Sequence, residues 1–87
     1  MEKYVRDGDV VEIGFEDGND VMMLEFKVKA GDNVKKNDEL LVLESMKGTD
    51  SLQSPIDGEI VELNLDAQED PEAMPKEFWL IKIKKLI

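Results

Sequence analysis

The sequence predicts an all-β fold, a flattened sandwich or barrel of two short antiparallel sheets, and three observations carry that expectation. Apolar residues alternate at period two in Val11, Ile13 and Phe15, and again in Leu24, Phe26 and Val28, where Glu25, Lys27 and Lys29 take the other face. Turn-forming clusters punctuate these runs: Asp7-Gly8-Asp9, Glu16 to Asp20, Ala30 to Asn33 and Ser54 to Gly58. The helix-start pattern Asp70-Pro71-Glu72-Ala73-Met74, with Asp70 able to cap and Pro71 at the first helical position, meets Pro75 within about one turn.

Residues 1–9 are mixed and polar and are expected to be a loosely ordered lead-in. Val10 to Phe15 is the first strand, and Val21 to Val28 the second. Val34 to Glu39 carries too few apolar residues for a long element and reads as a short edge segment and turn. Leu40-Leu41-Val42-Leu43 is continuously apolar, as a strand covered on both faces would be, with a buried helical turn as the alternative that periodicity leaves open. At Ser45-Met46-Lys47-Gly48 two runs meet, and Gly48 can take positive φ without steric cost, so a tight hairpin is expected with Lys47 exposed at its tip. Thr49 to Gln53 returns as the partner strand, and Pro55 fixes the exit turn. Glu59 to Leu63 is a strand by its β-branched content, Asn64 to Glu69 an acidic loop, and Phe78 to Lys84 the last strand, with Leu86 and Ile87 trailing and Trp79 as a core or rim anchor. The unit Gly18 to Glu44 is loosely echoed by Gly58 to Lys84, which suggests a pseudo-twofold pair of sheets with the Lys47 hairpin between them.

A length of 87 residues suits one small domain over 1–87. The chain contains neither cysteine nor histidine, which removes disulfides, thiolate and zinc sites, the thiol nucleophile and the usual general base. An enzyme in its own right is therefore disfavoured, and no metal is expected, since Asp66 to Glu72 lacks the spacing and turn glycine of a calcium loop. Twenty-one acidic against eleven basic residues give a net charge of −10, which repels phosphate backbones and anionic lipid and excludes nucleic acid and membrane as expected partners. The same charge suits cationic protein partners or serves solubility alone. No apolar run approaches spanning length, and Met1 to Arg6 lacks the apolar core of a secretion signal, so a soluble, cytoplasmic chain is expected.

Glu44-Ser45-Met46-Lys47, the stretch Ser54-Pro55-Ile56-Asp57-Gly58-Glu59-Ile60-Val61-Glu62-Leu63-Asn64, and Pro71-Glu72 followed by Trp79-Leu80-Ile81-Lys82-Ile83 resemble, in that order and spacing, the biotinyl/lipoyl carrier domains. Within that group the glycine cleavage system H-protein family is most similar, over roughly Leu24 to Lys84. Its attachment lysine follows a glutamate by three positions and a glycine by sixteen, matched here by Glu44 and Gly31.

The resemblance implies that Lys47 is joined through its ε-nitrogen to the carboxyl group of lipoate, forming a flexible arm that shuttles an aminomethyl group and reducing equivalents between partner enzymes. It implies that Glu44, Ser45, Met46, Gly48 and Gly31 serve recognition and turn geometry. Implied partners are a lipoate-attaching enzyme, whether ligase or octanoyltransferase, and glycine decarboxylase, aminomethyltransferase and dihydrolipoyl dehydrogenase. Full-length family members carry a C-terminal helix that no segment here matches. Met46 before the lysine is a feature of biotin carriers, so a biotin carrier domain is the alternative, with an unmodified lipoyl-like interaction module as a third reading. Glu44, Asp50 and Asp57 could form an acidic collar or be solvated strand-end carboxylates, the second being preferred for Asp50 and Asp57.

Overall fold

The computed structural model of the chain describes residues 3–18 and 20–86. The turn residue Asn19 and the trailing Ile87 lie outside the described residues, as do Met1 and Glu2. The strands are β1 (Lys3–Arg6), β2 (Val10–Phe15), β3 (Val21–Phe26), β4 (Asn33–Val34), β5 (Glu39–Ser45), β6 (Gly48–Gln53), β7 (Gly58–Leu63) and β8 (Phe78–Lys85). They form a five-stranded sheet of order β1-β2-β8-β7-β4 and a three-stranded sheet of order β3-β5-β6, with every pairing antiparallel. The core lies between the sheets, where Val11, Ile13, Phe15, Ile60, Ile81 and Ile83 of one meet Val21, Leu24, Leu41, Leu43 and Leu52 of the other. The two echoed units each contribute an antiparallel pair, β3 with β5 and β7 with β8, placed in different sheets.

The alternation in β2 is realised as expected, with Val11, Ile13 and Phe15 buried while Val10 is exposed. Phe15 meets Phe78 edge to face, ring centroids 5.6 Å apart. The apolar run in β5 has a more specific cause than cover on two faces. Glu39 pairs with Gln53 and Leu41 with Leu52, so Leu40 is an extra residue against β6, and this irregularity buries Leu40 and Leu41 side by side. A similar shift in β8 skips Leu80 between the pairs Ile13–Ile81 and Gly14–Trp79, which buries Phe78, Leu80, Ile81 and Ile83 together. Trp79 is half-buried, with Lys82 Nζ 4.7 Å from its ring centre.

Three expectations are corrected. Residues 3–6 are not a loose lead-in: they pair with β2 from Lys3–Phe15 to Arg6–Glu12, and the Tyr4 ring lies over Gly14, where an added Cβ would stand 2.6 Å from it. The acidic loop at Asn64–Glu69 contains a single helical turn, α1 (Leu65–Glu69), because Ala67 is fully buried and Gln68 Oε1 accepts the free Phe26 N–H at 2.8 Å, which shields the edge of β3. Pro71–Ala73 is a 3-10 turn with Pro71 in its first positions, yet the Asp70 side chain makes no capping bond.

Candidate functional site

β5 and β6 are joined by a two-residue loop. Ser45 and Gly48 close the ladder, and Met46 and Lys47 form the tip. Gly48 has φ +132° with open space where a Cβ would stand, whereas Met46 and Lys47 keep negative φ. The turn therefore differs from the primed hairpin types, which need positive φ within the loop itself, and places the unusual backbone one residue later. The Ser45 hydroxyl spans the loop, accepting the Lys47 backbone N–H at 3.3 Å and donating to the Gly48 carbonyl at 3.4 Å.

Lys47 is exposed and forms no ion pair with any described residue. Beside it lies an open depression of ≈220 Å³ lined by Asp20, Ser45, Lys47, Gly48, Thr49 and Asp50. The lysine is thus solvent-exposed above a pinned backbone, with the carboxylates of Asp20 and Asp50 lining the same depression. Glu44 is exposed on β5, three residues before Lys47 and opposite Thr49.

The structure brings Glu44, Ser45, Met46, Lys47 and Gly48 together and leaves Gly31 apart. β3 begins opposite Ser45 and ends opposite Leu41, and Gly31 follows it at the far end of the sheet. Its φ is +96°, its N–H donates to the Ile60 carbonyl at 2.7 Å, and Ile60 N–H returns a bond to the Asp32 carbonyl at 2.8 Å. Gly31 acts on loop geometry without touching the tip. Asp57 also lies away from the hairpin, beyond the other end of β6, with its carboxylate accepting the Lys36 N–H at 2.8 Å. Asp50 caps its neighbour Ser51 N–H at 2.8 Å and pairs with Lys3 Nζ at 3.5 Å. Of the three collar candidates only Glu44 stands at the tip without a bonded partner among the described residues.

Sequence reasoning missed Met22 and Met23. Val21 pairs with Ser45 and Met23 with Glu44, so β3 gains a residue at Met22 and both methionines become exposed beside the hairpin. Two adjacent methionines inside a strand pattern were the available signal. Among the described residues no group of three or more acidic side chains is placed to hold a metal ion. No helix among them is long and apolar enough to cross a membrane.

The two sheets define a barrel-sandwich domain of lipoyl/biotinyl type, and one of its hairpins carries an exposed lysine at the tip. The family model for glycine cleavage H-protein matches residues 2–86, and the chain belongs to that family. A glycine cleavage system H protein from Leptospira biflexa is 34% identical over 88 residues, covering 92% of this chain and 67% of that protein. One from Clostridioides difficile is 35% identical over 88 residues, covering 92% and 70%. A relative from Picrophilus torridus is 37% identical over 68 residues, covering 75% of this chain, which spans 54% of that protein's length. The crystal structure of a glycine cleavage system H protein from Mycobacterium marinum has the same fold, with TM-score 0.75 at 21% identity, covering 97% of this chain and 78% of that one.

Proposed function

We propose that the chain is a lipoyl carrier of the glycine cleavage type, with lipoate held as an amide on Lys47 Nζ. The supporting observation is an exposed primary amine, unpaired among the described residues, on a two-residue tip whose backbone is fixed by Ser45. The residues fit the group, because the amine is free to attack an activated carboxyl and the bonded strands behind it resist being drawn into another protein's cleft. When bound, lipoate supplies a redox-active disulfide to a chain that has no cysteine or histidine.

The chain's own part is to hold, display and be recognised, as a carrier subunit without an active site of its own. Tethering replaces free encounter by local delivery to partner sites. The proposed partners are a lipoate ligase or octanoyltransferase, then glycine decarboxylase, aminomethyltransferase and dihydrolipoyl dehydrogenase, in the cytoplasm. Met46 favours biotin as the second reading.

The test offers the full chain to lipoate ligase with lipoate and ATP, and in parallel to biotin ligase with biotin and ATP, followed by intact mass and peptide mapping. A lipoyl amide on Lys47, absent from Lys47→Arg, is expected, and that variant should fold with stability within about 0.5 kcal/mol of wild type. Biotin taken up in its place, or a lipoyl group on another lysine, overturns the reading.

A further inference from the structure

The outer face of the three-stranded sheet carries a surface that the carrier role does not by itself explain. Cross-strand register sets Met23, Glu44 and Thr49 in one row and Glu25 and Val42 in the next. Between them runs a groove of ≈130 Å³ with half-buried Val42 on its wall. Met23 is 62% exposed, bulged Met22 beside it 42%, and Met46 on the tip 80%. Flexible thioether side chains grouped on a surface suit a contact that repacks around a partner. Exposed Glu25 and Glu44 rim the groove, Glu25 paired with Lys27 Nζ at 3.3 Å and Glu44 with no ion pair among the described residues, on a chain of net charge −10.

We propose that this face, centred on Met22 and Met23, is the docking surface for the enzyme that acylates Lys47, and that the enzyme meets it with an aliphatic side chain flanked by cationic ones. The inference rests on the carrier reading of Lys47. Reach decides among occupants. Enzymes that use the finished arm act at its distant end, whereas the attaching enzyme must bring its reacting centre to the Lys47 nitrogen and so must lie against whatever surrounds the hairpin. The row holding Met23 is one residue pair from the closing pair Ser45–Gly48. Apolar contact at the groove supplies affinity, and Glu44, with Glu25 once a partner's cation displaces Lys27, selects a cationic rim and speeds encounter.

The experiment measures lipoate ligase kinetics on the full chain with lipoate and ATP. Met22→Gln/Met23→Gln is expected to raise KM for the carrier by roughly tenfold with kcat unchanged. Met22→Leu/Met23→Leu should restore it, and Glu25→Lys should raise it. The control Val61→Gln/Leu65→Gln alters exposed apolar residues beside the far end of β3 and should leave KM unchanged. Wild-type KM in the glutamine double variant, or an equal rise in the control, overturns the surface while the carrier reading stands. A wild-type chain that takes no lipoyl group at Lys47 overturns both.

Discussion

The hydroxyl of Ser45 accepts the backbone N–H of Lys47 at 3.3 Å, and through it the lysine's main chain is tied to the strand that leads into the tip. The second bond of the same hydroxyl, to the Gly48 carbonyl, ties it to the strand that leaves. One small side chain therefore holds both ends of a loop whose central residues are otherwise exposed.

Ser45→Ala removes both bonds at a solvated site, so the cost in global stability should stay below about 1 kcal/mol. The Lys47 amide should exchange faster with solvent, and acylation should slow because the amine is less well positioned. Hydrogen exchange at Lys47 identical to wild type would remove Ser45 from this role.

Glu44→Gln leaves the fold unaltered, since the side chain is exposed and makes no bond that the strand pairing needs. The acylation rate is expected to fall and its dependence on ionic strength to weaken, because a surface carboxylate acts on a cationic partner over a Debye length of about 8 Å at physiological salt. An unchanged salt slope excludes Glu44 from partner recognition.

Gly31 and Gly14 should fail for different reasons. At Gly31 there is open space but φ is +96°, so Gly31→Val strains the backbone by about 1–3 kcal/mol, and Gly31→Asn, which tolerates positive φ better, should cost less. At Gly14 an added Cβ meets the Tyr4 ring at 2.6 Å and the Phe78 carbonyl oxygen, so Gly14→Ala destabilises by overpacking, about 1–3 kcal/mol. Denaturant titration of the three variants checks both, and Gly31→Asn as unstable as Gly31→Val would contradict the backbone account.

Tyr4 should make the fold sensitive to alkali. Burial, with a 2.8 Å hydrogen bond to Glu12 Oε2 and that carboxylate's charge, pushes its hydroxyl up to about 12 from 10.0. The folded chain thus holds the phenolic proton more tightly than the unfolded one. The resulting stability, on the order of 2 kcal/mol, is complete below pH 10 and is lost as pH rises through about 12. The stability gap between wild type and Tyr4→Phe should narrow across that window, and a constant gap would show that the tyrosine does not titrate against folding.

The strands at Val10–Phe15, Thr49–Gln53 and Phe78–Lys84 and the tip at Met46-Lys47 were legible because their signals are local. Period-two burial is written in a few adjacent residues, and a glycine after the tip permits a backbone that other residues resist. The bulges were not legible. Whether Leu40 and Leu41 are both inside, or Met22 and Met23 both outside, depends on which residues of β6 and β5 stand opposite, and the partner strand fixes that register.

The sequence alone thus determined an all-β chain with one lysine raised on a hairpin, because alternation, turn residues and the Gly48 position act over short range. Only the tertiary structure decided that Lys3–Arg6 completes a five-stranded sheet, that Gly31 and Asp57 stand away from the lysine, and that a methionine face lies next to it. Those outcomes follow from strand pairing between distant segments, whose register is set by the burial of both partners together.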